Sequence, residues 1–130
     1  MFCYILRLFL ILVSLSALNS SSAQGQSVNS EADPVASFQL LLRQAKSFYN
    51  TNPDSIIFYG KKALDFAVAN KYLKGQAEAF NALGVGYKEK GLLGPSVEVL
   101  QKGIQIAAEN GYDEIHATLL LNKGNSDEGL

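Results

Sequence analysis

His116 is the one histidine in 130 residues, and Cys3 is the one cysteine. That scarcity bounds the chemistry. Asp113 lies three residues before His116 and would share a helix face with it. Two ligands fall short of the four that a structural metal site takes, and no third is evident. The plain reading of His116 is a surface residue on a helix. Nucleophilic catalysis needs a serine or cysteine beside a base that a third group orients. With a single histidine, and a cysteine in a segment that reads as removable, the sequence offers no such set. The acids Asp54, Asp65, Glu78, Glu89, Glu98 and Glu109 could pair for acid–base work, but their spacing puts them on polar helix faces, where solvation is the ordinary state of a carboxylate. Leu83-Gly84-Val85-Gly86 contains part of a dinucleotide fingerprint, yet no strand precedes it, and no Gly-Lys-Ser/Thr phosphate loop is present. Gly84 reads as a packing glycine. Gly86 has no such reason and costs about 1 kcal/mol of helix propensity. The expectation is a protein that is not an enzyme and carries neither metal nor cofactor.

The elements that would position these residues begin with an N-terminal signal. Arg7 is followed by an apolar run, Leu8 to Leu18, and then by the small polar stretch Asn19-Ser20-Ser21-Ser22-Ala23. The run is too short for the roughly 20 residues that a spanning helix needs. Residues 1–23 therefore read as a signal peptide cleaved after Ala23, with an uncleaved anchor as the alternative. Residues 24–32 are polar and read as a disordered lead-in. No later stretch could span a membrane. The mature chain would be exported, periplasmic or secreted in a bacterium, with no cysteine left for a disulfide. With 11 basic and 12 acidic residues, the formal charge of −1 carries no footprint for nucleic acid.

From Asp33 onward the pattern is helical. Asp33-Pro34 and Asn52-Pro53-Asp54 each place a capping side chain before a proline at the first helical position. Phe38, Leu41, Leu42, Ala45 and Phe48 then recur at three- and four-residue spacing, as do Ile56, Ile57, Tyr59, Ala63, Leu64 and Ala67. A third helix starts near Leu73 and stops at Gly91. A fourth starts at Gly94-Pro95 and ends at Asn110-Gly111. A fifth is capped by Asp113. No segment alternates with period two, so no strand is expected. Short connections between helices make neighbours antiparallel.

The helix pairs repeat at an offset of 40. Lys62/Lys102, Ala67/Ala107, Asn70/Asn110, Tyr72/Tyr112, Ala77/Ala117 and Gly84/Gly124 are identical. The first helix joins at offset 39. Phe80, Leu83, Gly84 and Tyr87 on one helix, a turn at Gly91, then Ser96, Leu100 and Gly103 on the next, resemble the tetratricopeptide repeat. Ile56, Gly60 and Ala63 fit that pattern less well, and Leu120 and Gly124 fit half of it. The 40-residue spacing, longer than the usual 34, is similar to repeats of exported bacterial proteins.

The resemblance implies an all-α fold, a right-handed superhelix of antiparallel hairpins over residues 33–124, with a polar tail at 125–130. It implies that Ala63, Gly84 and Gly103 allow close helix approach, that Phe80 and Tyr87 fill the gap between helices of neighbouring hairpins, and that Leu83 and Leu100 are repeat-packing positions. It also implies a concave groove that binds a protein or peptide, at Gln39, Leu42, Lys46, Tyr49 and Asn50 in one unit and Glu78, Asn81, Val85, Lys88 and Glu89 in the next. The family's lysine/asparagine clamp for terminal carboxylates is not reproduced at the matching positions. Leu119, Leu120 and Leu121 suggest an end face that could self-associate. A sensory input piece of a two-component signalling protein, a histidine kinase or a transcription regulator, is the alternative. A small-molecule binder or an enzyme comes third.

Overall fold

The computed structural model describes residues 33–129, and the signal-peptide and lead-in expectations for 1–23 and 24–32 lie outside them. Five helices follow in order: α1 (Pro34–Ser47), α2 (Pro53–Ala69), α3 (Leu73–Glu89), α4 (Leu93–Asn110) and α5 (Asp113–Asp127). Among the described residues there is no strand, and no helix is long and apolar enough to cross a membrane.

The helix starts follow local chemistry. Asp33 accepts the Val35 N–H at 3.0 Å and Asn52 accepts the Ser55 N–H at 3.0 Å, each satisfying a donor that has no partner within its helix. The next three junctions share one device. Lys71, Gly91 and Gly111 take left-handed φ values of 53°, 80° and 68°. The following residue, Tyr72, Leu92 or Tyr112, donates its N–H back to Ala67, Tyr87 or Ala107 at 2.8, 2.8 and 2.9 Å. This is the Schellman closure. Because it recurs every 20 residues, α3, α4 and α5 start at positions 73, 93 and 113. Asp113 is the first residue of α5 rather than its cap, and no side chain caps that end.

Adjacent helices run antiparallel. Along the α2–α3 contact Gly60 meets Leu83 and Gly86 meets Ile56. Along α3–α4, Gly84 meets Leu100 and Phe80 meets Gly103. Along α4–α5, Gly103 meets Leu119 and Leu93 meets Gly129. In each pair one number rises as the other falls. Beyond these neighbours, α1 touches α3 and α3 touches α5, so α3 contacts all four other helices.

The core has two parts. Phe38, Leu42, Ala45, Ala63, Ala67, Ala79 and Ala82 form one, and Ala77, Leu100, Ile104, Ala107 and Leu119 the other. Burial of each leucine or isoleucine here contributes about 1.5–3 kcal/mol. The buried face of α3 is made of small residues, and this differs from the expectation. Phe80 and Tyr87, expected as gap fillers, are only half-buried, whereas Ala77, Ala79, Ala82, Gly84 and Gly86 are buried. Ala63, Leu83, Leu100 and Gly103 are buried as expected. Gly86 also has its reason. A Cβ there would lie 2.9 Å from Ile56 Cγ2, while a Cβ on Gly84 would collide with Leu100. The two glycines open opposite sides of α3, one to α2 and one to α4.

The expected boundary at 124 falls inside α5. The helix runs to Asp127, and Ser126 is fully buried in what reads as a polar tail. Its hydroxyl donates its one proton to the Asn122 carbonyl at 3.0 Å and lies 3.0 Å from Ser96 Oγ, so a polar residue is satisfied inside. Leu119 is buried against α4, but Leu120 and Leu121 are 49% and 67% exposed.

Candidate functional site

The alternate helices α1, α3 and α5 border a cleft of about 630 Å³. On α3, Asn81, Val85, Lys88 and Glu89 line it; Lys88 and Glu89 lie three and four residues after Val85, which lies four after Asn81, so they share one helix face. On α5, Thr118, Asn122 and Ser126 recur every four residues. Lys46 ends α1, and Tyr49 and Asn50 lie in the connection to α2. Lys46, Tyr49, Asn50, Asn81, Val85, Lys88 and Glu89 are thus brought together at the cleft.

Three expected groove residues are elsewhere. Leu42 is buried in the core with Phe38 and Ala45, because it lies on the inward face of α1. Gln39 and Glu78 sit towards the start of α1 and α3, around Tyr72. Burial pushes the Tyr72 phenol above its ordinary range and Glu78 adds to this, against Lys74. One oxygen of Glu78 is buried without a partner. Glu78 and Glu89 are half-buried rather than solvated. His116, read as a surface residue, is half-buried too and does not line the cleft. Among the described residues no three His, Cys, Asp or Glu side chains gather as a metal group would.

Thr118, Asn122 and Ser126 are not legible as site residues: Thr118 stands beside the apolar run Leu119–Leu121, and the chain from Lys123 reads as polar and glycine-containing. The four-residue spacing of Asn122 and Ser126 was the available signal. These residues also form the floor of the cleft. Asn122 Nδ2 donates to Asn81 Oδ1 at 2.8 Å, joining α5 to α3. Ser96 Oγ on α4 donates to the Gly84 carbonyl at 2.7 Å and meets Ser126 Oγ. Three helices are cross-linked by one run of side-chain hydrogen bonds, which fixes the amides that face the cleft.

At the other wall the Glu89 carboxylate accepts the Asn50 N–H with both oxygens, at 3.1 and 3.0 Å. Asn50 has a left-handed φ of 62°, and this turn presents its N–H to α3. The Tyr49 hydroxyl oxygen is buried without a hydrogen-bond partner. Burial, and then the charge of Glu89, push the Tyr49 phenol up to about 12. It is therefore a neutral donor at ordinary pH. Lys46 and Lys88 are exposed at the cleft, and neither enters an ion pair among the described residues.

Comparison with known proteins gives no match: no family model, no curated protein and no solved structure is similar to this chain.

Proposed function

We propose that this protein is an exported, non-catalytic interaction module of the tetratricopeptide-like kind, which takes a segment of a partner protein into the cleft between α1, α3 and α5. The observation that carries this reading is the cleft itself. It is open, about 630 Å³ in volume, and bordered by helices two apart in sequence. A stack of antiparallel hairpins with a right-handed superhelical turn generates such a surface, because alternate helices lie side by side on one face. The lining is mixed, with Val85 and the ring of Tyr49 among amides and lysines, which suits an extended or helical peptide. The signal-like segment before Gln24 places the module outside the cytoplasm in this reading.

The test is site-directed photo-crosslinking in the producing cell. A crosslinker at Lys88, in the cleft, is expected to capture a partner, and the capture is expected to vanish with Val85→Arg. A crosslinker at Lys61, on the exposed face of α2, is expected to capture nothing comparable. Equal capture from both positions, unaffected by Val85→Arg, refutes the cleft as the binding surface.

A further inference from the structure

The charged groups that the cleft leaves free are both cations. Lys46 and Lys88 bring ammonium groups from two different helices, and neither meets a carboxylate. The cleft's own carboxylate, Glu89, has both oxygens directed at the Asn50 N–H. Asn81 accepts through its oxygen from Asn122, which leaves its NH2 group to donate. The Tyr49 hydroxyl has no acceptor. The local balance is two cations against one anion in a chain of net charge −1. A site of this kind is complemented by a ligand that brings oxygen acceptors and negative charge.

We infer that the segment bound in this cleft is an acidic peptide, whose side-chain carboxylates pair with Lys46 and Lys88 and whose backbone carbonyls take the Asn81 amide and the Tyr49 hydroxyl. This rests on the interaction-module reading above. Two lysines on two helices can pair two separate carboxylates, whereas a chain terminus brings one. Repeated Asp or Glu side chains therefore fit better than a C-terminal carboxylate. The burial of the Tyr49 oxygen gives direction to the contact. A hydroxyl that has lost water and gained no partner is satisfied when a ligand acceptor arrives.

The experiment is fluorescence anisotropy on the whole protein with labelled, C-terminally amidated peptides of Glu-Gly, Gln-Gly and Lys-Gly repeats, at low and near-physiological salt. The Glu-Gly peptide is expected to bind at least tenfold more tightly than the Gln-Gly peptide, and to weaken as salt is raised. Lys46→Ala and Lys88→Ala are each expected to weaken it severalfold, while Lys61→Ala leaves it unchanged. Tyr49→Phe is expected to weaken binding with no loss of thermal stability, which separates a ligand contact from a structural one. Lys88→Glu is expected to lose the Glu-Gly peptide without unfolding.

Equal binding of Glu-Gly and Gln-Gly, abolished by Val85→Arg, overturns the acidic preference and leaves the module reading standing. Binding only when the C-terminal amide is replaced by a free acid overturns side-chain carboxylates as the source. No binding by any of the three peptides at millimolar concentration overturns the acidic-peptide inference, and the module reading then stands or falls on the crosslinking from Lys88.

Discussion

Gly84 and Gly124 occupy the same place in the 40-residue repeat but have opposite surroundings, so one substitution should act with opposite sign. Replacing either glycine by alanine inside a helix favours folding by about 0.5–1 kcal/mol through propensity alone. At Gly124 a Cβ meets nothing within 4 Å, so Gly124→Ala should gain about that amount. At Gly84 the Cβ collides with both Cδ2 and Cγ of Leu100. Leu100 is fully buried, and the collision involves its branch point rather than a free tip, so it cannot swing aside. Overpacking of this kind costs about 1–3 kcal/mol. Contact at the branch point puts the cost in the upper half of that range. Gly84→Ala should therefore lose about 1–2 kcal/mol net, and the two variants should differ by about 2–3 kcal/mol. For a domain of this size 1 kcal/mol moves Tm by about 4–8 °C, so their midpoints should lie roughly 10–20 °C apart. The assay is thermal and urea unfolding followed by circular dichroism at the helical band. Leu100→Ala should itself be destabilising, yet combined with Gly84→Ala it should cost at least about 1 kcal/mol less than the sum of the two, because the collision is relieved. If Gly84→Ala were as stabilising as Gly124→Ala, α3 and α4 would not approach each other as closely as described.

Lys71 holds a left-handed φ of 53° that Gly91 and Gly111 adopt without strain, so Lys71→Gly should stabilise by about 1 kcal/mol in urea melts. Gly91→Ala and Gly111→Ala should each lose about as much. Ser96→Ala removes the donor to the Gly84 carbonyl and one partner of Ser126, so it should cost about 1–3 kcal/mol, and adding Ser126→Ala should cost less than Ser126→Ala alone. The Tyr49 phenol lies at about 12 in the folded protein against 10.0 unfolded, so between these values the folded state binds the extra proton. Its contribution to stability is whole below pH 10 and is lost as the pH rises towards 12. Ultraviolet titration of the phenolates should show the late transition, absent in Tyr49→Phe. Mass spectrometry of the exported product should find a chain beginning at Gln24.

Much of the helical frame could be read directly, because its punctuation is local. Asp33-Pro34, Asn52-Pro53, Gly91 and Asn110-Gly111 act on the backbone next to them, and α1, α2, α3 and α4 begin or end at these signals within a residue or so. What depends on contact between distant residues was hidden. Gly86 looks like a needless weak point until Ile56 is beside it. Leu42 looks equally suited to groove and core, and only its packing against Phe38 and Ala45 decides. Ser126 reads as tail because its partner, Ser96, is 30 residues away. The α5 wall of the cleft was lost with it. On α3, by contrast, Asn81, Val85, Lys88 and Glu89, positions that the resemblance implies, lie on the cleft.

The position of α3 bears on how the protein comes apart. In a linear stack each element touches only its neighbours, and ends can fray while the middle persists. Here the middle helix contacts all the others, and its glycines and alanines let four helices crowd around one backbone. Both parts of the core draw on α3, Ala79 and Ala82 in one and Ala77 in the other, so native-state hydrogen exchange should find α3 opening only with global unfolding, while the amides of α1 and α5 exchange by smaller excursions. The five described helices are centred enough on α3 to melt as a single cooperative unit.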